Sequence, residues 1–289
     1  MVTTLTEHER SELSEVASTA TGWALDQATL EALRRATGRS EALKNLASRV
    51  LREVNDHGYC LVHDVPTRSD EELATFLGLV STLSNEGNGG ELFFTISPTA
   101  GEGEVADVSR TGAPFPFHSD STYMIHPHEM LGLGCVVNDS GGGDSSLIRA
   151  ADIAAQVESK AGHEALLALQ DPVFPFFLRD PVVGYGVQKV PLLRRVADEW
   201  HVRYRSDVLE ALLPKYELDE RHGRALRIFQ SVLADPLDDV EIIIRLQPRD
   251  YLLIDNRRAL HARTALGKGA RELRRSKGYF LNSRYHTII

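Results

Sequence analysis

Two strand-like segments that lie far apart in the sequence carry the residues that most constrain this fold. The first is Phe117-His118-Ser119-Asp120, and the second, from Asp255 to Thr264, contains His261. Side chains repeat every two residues along a strand, so His118 and Asp120 point to the same face. A fold that brings His261 beside them places two imidazoles and one carboxylate around a single metal ion. The two segments therefore predict a metal site that joins distant parts of the chain.

The types of ligand indicate which metal this is. Two histidines and one carboxylate hold Fe(II) on one face and leave three coordination positions open, as an oxygen-activating enzyme needs. No thiolate accompanies them, which argues against structural zinc. In a chain with 11 histidines, one His-x-Asp triplet also arises by chance. The alternative for this triplet alone is a surface histidine near an aspartate.

Basic residues cluster after the distal histidine. Arg271 and Arg275 lie 10 and 14 residues beyond His261, just before a predicted last strand at residues 277–286. Guanidinium groups pair bidentately with carboxylates, so one of these arginines suits the far end of a dicarboxylate that chelates iron. The alternative is a solvated basic patch. If the segment is extended, Arg274 and Arg275 face opposite sides, and only one of them can point inward.

Length, charge and cysteine content limit the class of protein. The chain has 289 residues, 42% of them hydrophobic, and a net charge of −9. The acidic balance and the absence of a long basic run argue against a nucleic-acid partner. No apolar run is long enough to cross a bilayer, and the N-terminus lacks an apolar signal segment. With Cys60 and Cys135 expected as free buried thiols, we predict a cytoplasmic protein that binds a small-molecule substrate, and the oligomeric state stays open.

The order of predicted elements indicates a mainly β protein with flanking helices. Residues 1–57 have helical patterns, and strands gather in residues 58–289. A double-stranded β-helix, or jelly roll, fits because it holds a metal between two sheets. A doubly wound α/β fold does not fit, since no strand leads into a nucleotide-binding glycine loop. We expect one domain over residues 1–289, with lid segments near 86–112 and 172–204.

Individual elements follow from hydrophobic periodicity and capping residues. The clearest helix runs over residues 41–57, with four apolar residues on one face and Gly58 as its stop. Further helices are predicted at residues 69–82, 151–170, 207–213 and 220–235, and strands at 58–65, 93–96, 130–138, 145–149, 251–255 and 259–265.

In combination, these motifs resemble the Fe(II)/2-oxoglutarate-dependent dioxygenases of the taurine dioxygenase and clavaminate synthase-like superfamily. The resemblance runs from about Gly58 to the C-terminus. It rests on Phe117-His118-Ser119-Asp120, the turn Gly142-Gly143-Asp144-Ser145, the segment Tyr251 to Arg258 before His261, and Arg271-Glu272-Leu273-Arg274-Arg275. Ala262 and Arg249 depart from the pattern, because relatives commonly carry glycine at both places.

The resemblance implies a role for each motif. It assigns His118, Asp120 and His261 as the iron ligands and Arg275 as the partner of the distal carboxylate of 2-oxoglutarate. Ser145 and Arg271 are expected to support that cosubstrate.

The same resemblance implies a reaction. With Fe(II), 2-oxoglutarate and O2, the enzyme releases succinate and CO2 and most often hydroxylates an unactivated C–H bond. Desaturation, epoxidation and ring closure remain alternatives. Related halogenases have a small residue in place of Asp120, so we predict no halogenation. Arg110 and Arg203 in the predicted lids can pair with an anionic substrate. We therefore expect an amino acid or another carboxylate-bearing metabolite, in keeping with specialised-metabolite biosynthesis.

Two other interpretations stay open. His126 and His128 form the His-x-His pair of a cupin-type metal enzyme, although Glu129 is closer than the cupin glutamate. A β-sandwich binding module with an incidental triad is the second. The complete set of three ligands plus an arginine argues against this silent module.

Overall fold

A computed structural model gives the fold and describes residues 2–85, 91–97, 111–138, 141–180, 183–236 and 240–281. In these residues the helices are α1 (Glu7–Ser18), α2 (Gln27–Thr37), α3 (Glu41–His57), α4 (Asp70–Gly78), α5 (Ala150–Ala161), α6 (His163–Gln170), α7 (Ser206–Leu212) and α8 (Glu220–Ala234). The strands are β1 (Val2–Thr4), β2 (Tyr59–His63), β3 (Ser81–Ser84), β4 (Phe94–Ile96), β5 (Phe115–His118), β6 (Met130–Asn138), β7 (Ser145–Arg149), β8 (Phe174–Asp180), β9 (Gly184–Val190), β10 (Leu193–Val196), β11 (Glu199–Val202), β12 (Ile242–Ile244), β13 (Tyr251–Asp255), β14 (Ala259–Arg263) and β15 (Arg271–Phe280).

Two facing sheets form the centre of the molecule. The larger has the order β1-β2-β13-β6-β15-β3, with β4 also paired to β15, and the smaller has the order β12-β7-β14-β5. Apolar side chains of both sheets pack together between them, including Leu133 and Leu252 from the larger sheet and Leu147 and Ala259 from the smaller. Burial of this layer joins the two sheets. The predicted β core with flanking helices is confirmed in this arrangement.

Helices cover the outer face of each sheet. On the larger sheet, Leu253 and Tyr251 of β13 pack against α1 to α4, for example against Leu46 of α3. On the smaller sheet, Ile148 and Leu260 pack against α5, α6 and α8. Adjacent residues of one strand thus pack on opposite faces of the sheet, one toward the helices and the next toward the other sheet, as the two-residue strand repeat requires.

The strand that carries the basic cluster is fixed to its neighbours by close packing across β6. The Tyr251 hydroxyl of β13 lies 2.6 Å from Ser276 Oγ of β15, on the far side of β6. Gly132 of β6 lies beneath this contact, and a Cβ there would come within 2.3 Å of the Tyr251 hydroxyl oxygen. Only glycine therefore allows this hydrogen bond to tie β13 to β15.

The last strand differs from the sequence prediction. It spans Arg271–Phe280 instead of residues 277–286, and residues 282–289 lie outside the described part. The basic residues pair in the ladder with β6 along the strand and with β4 over residues 273–275. Charged residues have low β-propensity, so the sequence did not indicate a strand over residues 271–276. Pairing with the neighbouring strands overrides that propensity in the folded protein.

Two predictions about the N-terminal half also need correction. Residues 2–4, expected to be helical, form β1, which pairs in parallel with β2. The helix predicted at residues 69–82 ends at Gly78, because Ser81 begins β3 on the edge of the larger sheet. By contrast, α3 has the predicted bounds, and Gly58 caps it with a positive φ of 82° that glycine adopts without strain.

The two predicted lid segments have different outcomes. Most of residues 86–112, namely 86–90 and 98–110, lies outside the described residues. Residues 172–204 contain two hairpins, β8–β9 and β10–β11. Hairpin β8–β9 contacts the chain just after Asp120, where Gln188 Nε2 donates to the Met124 carbonyl at 3.2 Å. In the described part of the chain, no helix is both long and apolar enough to cross a membrane.

Candidate metal centre

Two paired strands of the smaller sheet bring the predicted ligands together. His118 at the end of β5 pairs in register with His261 of β14, and Asp120 follows directly. Asp120 Oδ1 lies 3.4 Å from His118 Nε2 and 3.9 Å from His261 Nε2. All three side chains are buried, and one ligand atom from each falls within 4.8 Å of the others. Among the described residues, this is the one group of three such side chains with metal-binding geometry.

Neighbouring groups orient two of these side chains. His118 Nδ1 lies 2.9 Å from the Pro116 carbonyl and donates to it, which turns Nε2 toward Asp120. The Phe115 ring stacks on the His118 imidazole at 3.8 Å. The Asn256 side chain braces Asp120, because its Oδ1 accepts from the Asp120 backbone N–H at 2.8 Å. Its Nδ2 donates to the Asp120 carbonyl at 3.0 Å.

Electrostatics favour the protonation states that a metal ligand needs. Burial raises the pKa of Asp120, but Lys277, the hydrogen bond from His118 and the charge of Arg275 hold it well below the usual value. Burial and the neighbouring His118 place the pKa of His261 well below its usual value. At neutral pH the carboxylate is therefore ionised and the His261 imidazole is neutral.

The predicted cosubstrate residues line the same cavity as the triad. This cavity has a volume of about 50 Å³, and Ser145, Arg271 and Arg275 share its wall with His118, Asp120 and His261. Arg275 Nη1 lies 3.9 Å from Asp120 Oδ2, and its guanidinium group lies over the Phe94 ring at 4.8 Å. Ala262, where relatives commonly carry glycine, also lines this cavity.

Arg274 lies on the opposite face of β15. Its guanidinium group pairs with Asp70 at the start of α4 and lies over the Phe93 ring at 5.7 Å. Strand alternation thus places Arg275 in the cavity and Arg274 outside it.

Arg271 is a buried cation with capacity for a further hydrogen bond. Its Nη2 donates to the Gly143 carbonyl at 3.1 Å, whereas its buried Nε has no hydrogen-bond partner in the described part of the chain. Burial lowers the pKa of Arg271 to about 10, with Arg263 contributing, so the group stays charged at neutral pH. A buried cation with an unused donor fits an anionic ligand.

Two residues near the metal ligands had no predicted role. Lys277 Nζ lies 3.0 Å from Asp120 Oδ2. The two-residue repeat that places Arg275 inward also places Lys277 inward, but the predicted strand began only at residue 277. Asn256 lies in a motif used for the resemblance, yet its sequence gives no sign that it braces Asp120.

Arg203, one of the two predicted substrate residues, lies outside the cavity that the triad lines. Arg203 lines a second cavity of about 750 Å³ together with His126, Arg194, Arg195 and Tyr279. This cavity reaches Ser119, the residue between the two proximal ligands. Arg110 lies outside the described residues.

The histidines of the cupin alternative do not join a ligand group in the described part of the chain. His126 lines the second cavity, and His128 Nδ1 lies 2.8 Å from Ser121 Oγ. The geometry therefore favours the triad over the cupin-type pair as the metal site.

Solved structures with the same fold include several iron oxygenases. An asparagine oxygenase in complex with Fe(II), 2S,3S-3-hydroxyasparagine and succinate is 18% identical, with a TM-score of 0.74 over 96% of this chain and 93% of that chain. The non-heme iron oxygenase OrfP in complex with Fe, succinate and (3S)-hydroxy-L-Arg is also 18% identical, with a TM-score of 0.71 over 96% and 93%. OrfP with Fe and alpha-ketoglutaric acid gives 18% identity and a TM-score of 0.70 over 99% and 96%. At this identity, the likeness establishes the fold.

Sequence comparison gives the family. No curated protein matches the chain at a significant level. The model of the family described as taurine catabolism dioxygenase TauD, TfdA family matches residues 27–277, which include all three predicted ligands and the inward-facing Arg275. The predicted resemblance is confirmed, and the chain belongs to the TauD/TfdA dioxygenase family.

Proposed function

We propose that this protein is an Fe(II)- and 2-oxoglutarate-dependent oxygenase that hydroxylates an unactivated C–H bond of a small, carboxylate-bearing metabolite and releases succinate and CO2. The observation that carries the proposal is that the triad and Arg275 line the same cavity. Two imidazoles and an ionised carboxylate, without thiolate, fit Fe(II). When bound, the iron supplies oxygen activation, and membership of a dioxygenase family supports this chemistry.

The residues that line the cavity have separate roles in binding the metal and the cosubstrate. His118, Asp120 and His261 would hold the metal, which would supply oxygen activation. Arg275 pairs with the distal carboxylate of 2-oxoglutarate, and Arg271 and Ser145 support it. These side chains line one cavity of about 50 Å³, which brings the metal ligands and the cosubstrate residues to the same place.

The second cavity supports an anionic substrate. Arg203 Nη2 donates to the Ile125 carbonyl at 3.0 Å, whereas its buried Nη1 has no hydrogen-bond partner in the described part. Burial, with Arg194, lowers the pKa of Arg203 to about 10, so it remains charged at neutral pH. We infer that Arg203 pairs with a substrate carboxylate, with Arg110 as a second candidate. Solved relatives hold hydroxylated asparagine and arginine, which favours an amino acid.

An anaerobic titration tests the cofactors. Metal-free protein is titrated with Fe(II) and 2-oxoglutarate while the visible iron-to-cosubstrate charge-transfer band is followed. We expect a band in the wild type and in a His126→Ala control, and no band in His118→Ala. Absence of the band from the wild type at any concentration would contradict the proposal. Loss of metal binding in the His126 control instead would favour the cupin-type alternative.

Thermal denaturation separates the proposal from a silent binding module. A ligand that binds only the folded protein raises the melting temperature. We expect 2-oxoglutarate to raise it only when Fe(II) or Mn(II) is present, because cosubstrate and metal share one site. A module with an incidental triad gives no such dependence.

Succinate release tests the substrate class. Free amino acids and other small carboxylates are screened, and KM is measured for those that stimulate succinate formation. We expect Arg203→Ala to raise KM about 30-fold or more, as loss of a buried charge partner implies, with kcat less affected. If Arg110→Ala and Arg203→Ala both leave KM unchanged, neither residue binds the substrate.

Three further proposals concern the protein as a whole. We propose that the facing sheets form a double-stranded β-helix, supported by the metal ligands on the smaller sheet facing β15 of the larger. We also propose one domain, because α1 to α4 pack on the same sheet that carries Arg275. The two cysteines are free and buried, which supports the predicted cytoplasmic location.

A further inference from the structure

A buried lysine lies directly beside the metal-ligating carboxylate. Lys277 follows Arg275 by two residues on the inner face of β15, and its side chain is 11% exposed. Its Nζ lies 3.0 Å from Asp120 Oδ2. The proposed reaction gives this cation no task, because Arg275 already serves the cosubstrate.

The two oxygens of Asp120 face different partners. Oδ1 is the oxygen near both histidines, 3.4 Å from His118 Nε2 and 3.9 Å from His261 Nε2. Oδ2 is the oxygen near the cations, 3.0 Å from Lys277 Nζ and 3.9 Å from Arg275 Nη1. The carboxylate is therefore oriented with one oxygen toward the metal position and the other toward the ammonium group.

This division matters because a carboxylate can coordinate a metal through one or both oxygens. A six-coordinate ion held by two histidines and one carboxylate oxygen keeps three open positions. If both oxygens coordinate, one of those positions is lost. A cosubstrate that takes two positions would then leave none for O2.

We propose that Lys277 is a positioning residue that restrains Asp120 to coordination through Oδ1 and thereby keeps three coordination positions open. The inference rests on the proposed iron site and adds a residue to it. The ammonium group holds Oδ2 by a charge-assisted hydrogen bond, which is strong in a buried setting. The strand fixes this contact because Lys277 pairs with Leu131 of β6 in the centre of the larger sheet.

The test counts the water molecules on bound Mn(II), from the broadening of its electron paramagnetic resonance lines in ¹⁷O-enriched water. We expect three metal-bound waters in the wild type and two in Lys277→Met. Lys277→Arg, which keeps a cation near Oδ2, restores three. Arg274→Met, a cation-to-methionine change three residues earlier and on the opposite face of β15, also keeps three.

The affinity for Mn(II) gives a second readout. Loss of a positive charge beside a divalent ion, together with a second carboxylate oxygen, should tighten binding about 10-fold in Lys277→Met. If Lys277 merely supports the fold, Lys277→Met should show the opposite result: weaker Mn(II) binding, with three or four water molecules on the metal. If Lys277→Met does not fold, Lys277→Gln carries the same expectation, because its shorter, uncharged side chain cannot reach Oδ2 in the same way.

The outcomes separate this inference from the proposed function. Three waters in Lys277→Met, or weaker Mn(II) binding, overturns the role of Lys277 and leaves the metal site intact. Failure of the wild type to bind Mn(II) at all removes the proposed metal site and this inference with it.

Discussion

Arg274 and Arg275 are adjacent in sequence but serve opposite sides of β15. Arg275 lines the metal cavity with 16% of its side chain exposed, whereas Arg274 pairs with the half-exposed Asp70. Arg275→Ala removes one partner of a charge pair that 2-oxoglutarate completes. Such truncations cost about 2–5 kcal/mol when the pair is fully buried. Because the Arg275 side chain keeps some exposure, we expect the lower half of this energy range, about 2–3 kcal/mol. This cost corresponds to about 30- to 150-fold weaker cosubstrate binding.

Arg274→Ala is the matched control, because it deletes the same chemical group one residue away. Its ion pair with the half-exposed Asp70 contributes about 0–1 kcal/mol to stability, and cosubstrate affinity should change less than about threefold. The assay is the anaerobic charge-transfer titration with Fe(II) held at saturation. Equal effects of the two variants would refute the assignment of Arg275, and a larger effect of Arg274→Ala would refute the strand alternation behind it.

Three further predictions concern residues around the site. Asn256→Ala removes the brace on Asp120 and should weaken Mn(II) binding about 10- to 100-fold, measured by titration. Burial lowers the pKa of His201 from 6.5 to about 4; the unfolded chain then takes up a proton that the folded chain does not. The free energy of unfolding should therefore fall by about 2 kcal/mol between pH 7 and pH 5, and His201→Asn should lose this part of the dependence in urea titrations. Gly278→Ala places a Cβ 2.0 Å from a backbone oxygen of β3 and should destabilise by about 1–3 kcal/mol in the same assay, whereas Gly186→Ala, with open space around it, should not.

Two members of the predicted triad, His118 and Asp120, could be grouped from the sequence because they lie two residues apart. In the structure β5 ends at His118, and Asp120 lies two residues further on, where Asn256 holds its backbone. His261 of β14 pairs with His118 of β5, and this register is set only when the sheet has folded. The sequence predicted both strands but could not determine their pairing, because pairing depends on residues far apart in the chain.

The basic strand β15 was misplaced for a physical reason. Five of its first seven residues are charged, and charged residues are rarely buried unless they meet a partner. Here the partner is Asp120 and, in the proposed function, a dianionic cosubstrate. The rule that charged residues stay exposed therefore gave the wrong start for this strand, because the proposed function needs buried cations here. With the strand misplaced, nothing in the sequence indicated that Lys277 faces the cavity side.

Charge balance in the cavity leads to the last prediction. Arg263, Arg271 and Arg275 line the cavity, Lys277 contacts Asp120, and Asp120 is the one carboxylate among the described residues that line it. This excess of positive charge disfavours a bare divalent ion, whereas dianionic 2-oxoglutarate offsets it. We expect saturating 2-oxoglutarate to tighten Mn(II) binding about 10-fold or more, in line with coupling energies of about 1–3 kcal/mol. Linkage requires Mn(II) to tighten 2-oxoglutarate binding by the same factor, measured by calorimetry in both orders of addition. Independence of the two affinities would contradict a shared site.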